Sequence, residues 1–266
     1  MLVDSHCHID DFSCLRNLHD IIKYAQRNST HILQIISTGT RVLENILSTT
    51  GRYDNIFCSI GTHPLYLTLN NEINYQDIIK QCNHKKITAI GETGLDYSIK
   101  NVDILYQQKN FIEHIKVAQK TNLPIIIHSR NAMRDTINIL NKYMQKKSFT
   151  GVLHSFTGST ELAFASLRLG LYISASGIIT FKGVNSIRDT FIESIPINRI
   201  LLETDSPYLS PIPMRGRNNH PGYLIYVSRI MSQLMKMEYQ QFCQQTTKNY
   251  FSLFRKTASI YNKRIC

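Results

Sequence analysis

The chain has 266 residues, of which 42% are hydrophobic and 18% are charged. This composition excludes a disordered or fibrous protein, and the length suits one large α/β domain, which we predict to span residues 1–266. The net charge of +11, from 30 Lys and Arg against 19 Asp and Glu, favours an anionic partner such as nucleic acid. A lysine-rich solvated surface without such a partner would give the same balance.

The six cysteines form no CxxC pair, which is typical of reduced thiols rather than of a disulfide framework. The N-terminus lacks the basic and apolar regions of a signal peptide, and no apolar run reaches the length of a membrane span. We therefore expect a cytoplasmic protein with no membrane partner and no obligate protein partner, and a monomer is the default.

Short apolar runs rich in branched residues predict eight strands, at residues 2–10, 31–37, 56–60, 87–92, 125–128, 151–154, 171–174 and 199–205. Helical periodicity predicts helices near residues 15–28, 42–48, 75–82, 104–121, 132–144, 160–169, 223–235 and 239–254. Strands separated by helix-length segments indicate a single (β/α)8 barrel of the TIM type. The alternative is a doubly wound open sheet, but the Gly-rich phosphate fingerprint that such a sheet usually carries does not follow the first strand.

The first strand contains two histidines, His6 and His8, separated by one residue. Successive side chains of a strand point to opposite faces, so these histidines share a face with Asp4. Two imidazoles at this spacing can bind one divalent ion. The same spacing also arises by chance, so this motif alone leaves both interpretations open.

Further metal-binding residue types occur at the predicted carboxyl ends of other strands. With the first pair, the set is His6, His8, His63, Glu92, His128, His154 and Asp205. In a (β/α)8 barrel these ends meet at one rim, where active sites are built. A single histidine at a strand end is more often a capping or core residue, but such residues on four unconnected strands favour a common site. The donors exceed the needs of one tetrahedral zinc and suit two divalent ions.

Two ions about 3.5–4 Å apart can clamp the oxygens of a phosphoryl group, so we predict hydrolysis. Asp205 would position or deprotonate the attacking water, and Glu92 could bridge the ions. Glu203, which shares a face with Asp205 on the predicted last strand, would orient the metal ligands. The alternative for Glu203 is a charged residue held by a hydrogen bond at a strand end.

Longer motifs extend from one end of the chain to the other. They are DSHCH at residues 4–8, GTHP at 61–64, GETGLDY at 91–97, PIIIHSR at 124–130, HSFTG at 154–158, SGIITFK at 176–182, LETDSPY at 202–208 and RGR at 215–217. This set resembles the TatD family of metal-dependent deoxyribonucleases, within the amidohydrolase-like (β/α)8 superfamily. The resemblance covers the chain almost from end to end.

The resemblance implies six metal ligands, which are His6, His8, Glu92, His128, His154 and Asp205. It also implies two divalent ions of Mg²⁺, Mn²⁺ or Zn²⁺, and DNA as the substrate, with 3′–5′ exonuclease action known in relatives. His63 and Arg130 would then lie near the substrate phosphate, where cationic groups bind oxygen anions. His63 can also be interpreted as a turn residue before Pro64.

One loop departs from the family pattern. Where the family typically continues with Arg-Asn-Glu-Pro, this chain has Asn218-Asn219-His220-Pro221, which leaves the substrate fit of this loop open. Rival functions are D-aminoacyl-tRNA deacylation, another metal-dependent ester or amide hydrolysis, and non-catalytic nucleic-acid binding. Dihydroorotase-like and phosphotriesterase-like enzymes usually bridge their metals with a carboxylated lysine, whereas this chain has Glu92. A protein without catalysis would be expected to have lost ligands, and all six are present.

Overall fold

The computed structural model describes residues 1–9, 17–37, 39–67 and 74–262. Its strands are β1 (Leu2–Cys7), β2 (Thr30–Ile35), β3 (Ile56–Ile60), β4 (Ile87–Asp96), β5 (Ile125–Arg130), β6 (Gly151–Leu153), β7 (Tyr172–Ala175) and β8 (Ile200–Leu202). Its helices are α1 (Leu18–Arg27), α2 (Thr40–Thr50), α3 (Tyr75–Gln81), α4 (Ile104–Thr121), α5 (Met133–Lys146), α6 (Thr160–Arg168), α7 (Asn185–Ser194), α8 (Leu224–Leu234), α9 (Tyr239–Leu253) and α10 (Arg255–Asn262).

The eight strands form one sheet in the order β1 to β8, and every neighbouring pair is parallel. Between the last and first strands, the backbone N–H of His8 donates to the carbonyl oxygen of Ser206 at 2.7 Å. The N–H of Asp205 donates to the carbonyl oxygen of His6 at 2.9 Å. These bonds close the barrel, so the predicted (β/α)8 fold is confirmed.

The buried apolar side chains form an inner and an outer layer. The inner layer takes one residue from each strand and packs against Tyr250, Leu253 and Phe254 at the end of α9. Ile126 belongs to this layer, and alternation along β5 therefore points His128 into the same interior. The larger outer cluster lies between the strands and the helices. Strands buried on both faces explain why the sequence shows continuous apolar runs.

At the amino ends of the strands, two lysines hydrogen-bond to backbone carbonyls. The Nζ of Lys86, the residue before β4, donates to the carbonyl oxygens of Tyr53 and Ile56, the latter at 2.9 Å. The Nζ of Lys256 donates to the carbonyl oxygens of Cys82 and His84 at 2.7 and 2.8 Å. The ammonium groups thus hold neighbouring loops together.

Three strand predictions were wrong by three or four residues at their carboxyl ends. The strand predicted over residues 2–10 ends at Cys7, so His8 lies just beyond β1. The strand predicted to end at Glu92 continues to Asp96, so Glu92 lies within β4. The strand predicted to reach Asp205 ends at Leu202, because Asp205 adopts a left-handed backbone with φ of 57° and turns the chain. Glu203 and Asp205 therefore lie beyond β8 rather than on one face of it.

Helices α7 and α10 had no predicted counterpart, and the predicted positions 10, 15 and 16 lie outside the described residues. Cys7, Cys58, Cys82 and Cys243 are buried, and Cys14 and Cys266 fall outside the described ranges. In the described part of the chain, no helix combines the length and the apolarity that crossing a membrane requires.

Candidate metal centre

The carboxylate of Glu92 lies at the centre of a group of histidines, and its side chain is 2% exposed. Its Oε2 lies 3.3 Å from Nε2 of His6 and 3.6 Å from Nε2 of His8. Its Oε1 lies 2.9 Å from Nδ1 of His128 and 2.6 Å from Nε2 of His154. Each oxygen of the carboxylate thus faces a different pair of imidazoles.

His6 and His8, which face Oε2 of Glu92, both also lie close to the carboxylate of Asp205. The Nε2 atoms of His6 and His8 are 3.2 Å apart. Asp205 Oδ1 lies 3.5 Å from the first of these nitrogens and 3.3 Å from the second. The backbone bonds that close the barrel join the same residues, so barrel closure itself sets this part of the site.

His128 and His154, which face Oε1 of Glu92, each contact a further carboxylate. His128 Nε2 lies 3.1 Å from Asp96 Oδ2, and its Nδ1 lies 3.3 Å from His154 Nε2. Behind the second histidine, Glu203 Oε1 lies 3.4 Å from His154 Nδ1. That oxygen also accepts the N–H of Ser155 at 2.6 Å. Each imidazole of this pair therefore faces Glu92 with one nitrogen and another carboxylate with the other.

His63 combines the two interpretations that its sequence position allowed. Its Nδ1 accepts the N–H of Leu65 at 3.0 Å, which caps the turn that begins at Pro64. Its Nε2 lies 3.5 Å from Glu92 Oε1. Since Nδ1 is an acceptor, the proton of the neutral ring sits on Nε2 and points into the site.

Gly61 and Gly91 let the ends of β3 and β4 pack closely together near His63. A Cβ on Gly61 would lie 2.5 Å from the Cα of Gly91, and a Cβ on Gly91 would lie 2.6 Å from the carbonyl oxygen of Ile126. Gly91 also has a φ of 120°, which side-chain-bearing residues rarely adopt. The glycines before His63 and Glu92 therefore let these two residues approach each other.

Burial and mutual charge determine the protonation of the cluster. Burial would raise the pKa of Glu92, but the charges of His154 and His63 hold it well below its usual range. Burial opposes protonation of His154, yet the charge of Glu92 and the hydrogen bond to Glu203 raise its pKa well above the usual value. Burial lowers the pKa of His63 to about 4. The carboxylates thus stay anionic and attract positive charge to the centre.

The donors fit divalent metal ions. Three groups of ligand atoms lie within 4.8 Å of one another, namely His6 with His154 and Asp205, His6 with His8 and Glu92, and His63 with Glu92 and His128. Imidazole nitrogens facing each other at 3.2 Å have lone pairs that a cation or a proton must separate. Mixed nitrogen and oxygen donors are the usual ligands of zinc and related ions.

Helix α4 holds the loops of the site through three buried side chains that the sequence analysis did not identify. Gln107 accepts the N–H of Asp96 at 2.8 Å and donates to its carbonyl at 3.0 Å. Asn110 donates to the carbonyl of Thr62 at 3.1 Å, and His114 Nε2 accepts the N–H of Thr62 at 3.2 Å. These three residues lie on one face of α4. Polar residues that recur at helical spacing beside the buried apolar residues are the sequence signal that could have revealed them.

The remaining sequence-predicted residues lie at the edge of the site. Arg130 is exposed at the end of β5 and makes no ion pair with the cluster among the described residues. In the loop that departs from the family pattern, Asn219 donates to the carbonyl oxygens of Thr204 and Tyr208 at 2.8 and 2.6 Å. His220 Nδ1 accepts the N–H of Gly222, so its ring caps a turn.

Comparison with known proteins decides the family. A sequence model of the family described as TatD related DNase matches residues 3–255. The chain belongs to the TatD family. The family inferred from the motifs is thereby confirmed, and the match includes every residue placed around Glu92.

Relatives of this TatD-family protein match it over almost their full lengths. An uncharacterized metal-dependent hydrolase of Buchnera aphidicola subsp. Acyrthosiphon pisum is 43% identical over 264 residues, covering 95% of this chain and 98% of that protein. Human deoxyribonuclease TATDN3 is 28% identical over 277 residues, covering 98% of this chain and 97% of that protein. The crystal structure of YJJV, a TatD homolog from Escherichia coli K12, gives a TM-score of 0.89 at 25% identity, covering 96% and 98% of the two chains. The TatD-family protein is thus a member of a family of metal-dependent hydrolases.

Proposed function

We propose that this protein hydrolyses phosphodiester bonds of DNA with two divalent metal ions. The observation that carries the proposal is the position of Glu92, whose two oxygens face two different histidine pairs. A carboxylate in this position can bridge two ions. The net charge of +11 supports an anionic polymer as substrate, and so does the name deoxyribonuclease of the human relative.

The residues that would hold the ions divide into two groups around Glu92. By their distances to Glu92 and Asp205, His6, His8 and Asp205 would hold one ion, and His128 and His154 would hold the other. His154 also lies close to His6 and Asp205, so the two groups adjoin. Divalent ions at such a site neutralise charge on the phosphate oxygens and generate a nucleophile from water at neutral pH. Glu203 and Asp96 would orient His154 and His128 by contacting their second nitrogens.

Asp205 is the best-placed group to receive a proton from water. Its side chain is 13% exposed, against 2% for Glu92, so solvent reaches it. Burial would raise its pKa, but the hydrogen bond with His8 and the charge of His6 lower it, so it is anionic at neutral pH. It would orient and deprotonate the attacking water.

His63 and Arg130 would bind the phosphate. The Nε2–H of His63 points into the site and can donate to a phosphate oxygen. The guanidinium of Arg130 lies at the edge of the same rim and can donate two parallel hydrogen bonds to phosphate. We assign both groups to the substrate, although His63 also lies among the donor atoms near Glu92 and His128.

The donor set favours zinc or manganese over magnesium. Five imidazole nitrogens lie within 3.6 Å of the Glu92 oxygens, and magnesium prefers oxygen ligands and retained water. We expect zinc or manganese in protein that is purified without chelators, measured by inductively coupled plasma mass spectrometry. Protein that loads magnesium in preference to both would contradict this assignment.

The decisive experiment uses single-stranded DNA with a 5′ label and chelator-treated protein reloaded with zinc, manganese or magnesium. Cleavage that requires metal and is lost in Asp205→Asn supports the proposal, and a ladder of shortened labelled products indicates attack from the 3′ end. If no metal restores DNA cleavage while D-aminoacyl-tRNA is deacylated, the substrate proposal is wrong and the hydrolytic site is retained.

A further inference from the structure

A cavity of about 620 Å³ lies beside the metal centre, at the carboxyl ends of β4, β5 and β6. Its lining includes Tyr97, Arg130 and Thr157, which follow Asp96, His128 and His154 by one to three residues. The cavity therefore borders the His128 side of the cluster rather than the His6 side. Its volume lies within the range of about 300–1,000 Å³ that is common for small-molecule sites.

Two arginines give this cavity its charge. Arg130 and Arg134 both line it and are exposed, and neither forms an ion pair or a hydrogen bond with any other side chain in the described ranges. One carboxylate, that of Asp135, also lines it. Its Oδ2 accepts the hydroxyl of Tyr97 at 2.5 Å and the Nε2 of Gln108 at 3.0 Å. The cavity thus offers two unpaired guanidinium groups, and one oxygen of its carboxylate is engaged by neutral donors.

The remaining lining suits the flat, partly polar surface of a nucleobase. Tyr97, Met133 and Leu162 contribute an aromatic ring and apolar side chains. Asn131 and Thr157 contribute groups that hydrogen-bond to base edges. A lining of mixed polar and apolar groups that includes two arginines matches a nucleoside attached to a phosphate.

We propose that this cavity binds the nucleotide unit next to the cleaved phosphodiester, with its phosphate on Arg130 and Arg134 and its base against Tyr97, Met133 and Leu162. This inference rests on the proposed function for the identity of the polymer. The binding itself depends only on side chains of the cavity. Arg134 is thereby a substrate-binding residue that contributes affinity and no metal ligand.

The test measures binding of thymidine 5′-monophosphate and of thymidine by isothermal titration calorimetry, with the full chain in manganese and again in chelator. We expect the nucleotide to bind in both conditions, since side chains supply the contacts, and thymidine to bind at least about tenfold more weakly. Arg134→Gln should weaken nucleotide binding about tenfold and leave thymidine binding unchanged. Lys142→Gln is the matched control, because it removes the same charge from an exposed position of α5 outside the cavity.

Kinetics on a labelled single-stranded oligonucleotide separate this inference from the proposed function. We expect Arg134→Gln to raise KM about tenfold, with the loss appearing mainly in KM, and Lys142→Gln to behave as wild type. Nucleotide binding that depends on Arg134 in a protein that cleaves no DNA would support the cavity and overturn the DNase proposal. Wild-type DNA cleavage with equal nucleotide affinity in wild type and Arg134→Gln would overturn the cavity assignment.

Discussion

The two ends of the barrel use charged side chains in different ways. At the amino end, Lys86 and Lys256 donate to backbone carbonyls of neighbouring loops. At the carboxyl end, imidazoles and carboxylates face one another around Glu92, with imidazole nitrogens 3.2 Å apart. The two lysines of the amino end have acceptors within the chain, whereas the imidazoles and carboxylates of the carboxyl end form groups that could hold a metal ion.

Substitutions at the amino end are therefore expected to affect stability, and substitutions at the carboxyl end to affect activity. A lysine bonded to two carbonyls contributes to folding, because removing it leaves buried acceptors without donors. The charged groups around Glu92 destabilise the folded state, because like-charged and desolvated side chains oppose folding. Substitutions at the two ends should therefore separate these properties.

The largest effect is expected for Glu92→Gln. The amide cannot supply an anionic bridge, so the site loses metal, and kcat/KM for DNA should fall by about 10⁴-fold, which corresponds to several kcal/mol of transition-state stabilisation. Enzyme kinetics and metal content by mass spectrometry check this. Glu113→Gln makes the same change on α4, away from the site, and should retain wild-type activity and metal content. Wild-type metal content in Glu92→Gln would contradict the bridging role.

Asp205→Asn should reduce kcat about 10³-fold, because the amide keeps the shape but cannot accept a proton. We expect the variant to retain bound metal, since the histidines and Glu92 remain. Asp189→Asn, at an exposed position of α7, is the matched control and should be fully active. A variant of Asp205 that cleaves DNA at the wild-type rate would exclude a role as the base.

His114→Leu should reduce kcat by about 10–100-fold, because Thr62 loses the acceptor that fixes the loop before His63. His114→Gln, which offers an amide acceptor, should restore part of the rate. The distinguishing measurement is a double-mutant cycle with His63→Ala. If His114 acts through His63, His114→Leu should lower kcat little further in the His63→Ala variant. If the two losses in kcat are fully additive, His114 has a general structural role instead.

The smallest effect on activity is expected at the amino end. Lys86→Met should lower the free energy of unfolding by about 1–3 kcal/mol, because the carbonyls of Tyr53 and Ile56 lose their donor. Its kcat/KM at 25 °C should stay within about twofold of wild type. Urea denaturation measures the first quantity, and Lys85→Met at the neighbouring exposed position is the control. A large activity loss in Lys86→Met would break the proposed division between the two ends.

The predicted strands and helices agree with the structure because they depend on neighbours in the chain. Runs such as Ile125–Ile127 are apolar on both faces, and a strand covered on both sides requires that pattern. The predicted strand ends at Asp205 and Glu92 were wrong, and the backbone geometry changes at both places. Asp205 has a left-handed backbone, and the chain continues as a strand after Gly91 and Glu92. Neither feature leaves a periodic signal in side-chain polarity.

The order of residues along the chain shows which donor types follow which strands. It was enough to predict that one site could be formed by His6, His8, Glu92, His128, His154 and Asp205. The arrangement of these residues around Glu92 depends on the folded barrel. The division of Glu92 between two histidine pairs, the contact of Glu203 with His154 and the support of Thr62 by α4 all join residues far apart in the chain. Such distances are set by barrel closure and by packing of helices on strands, and neither is encoded by the spacing of residues within one element.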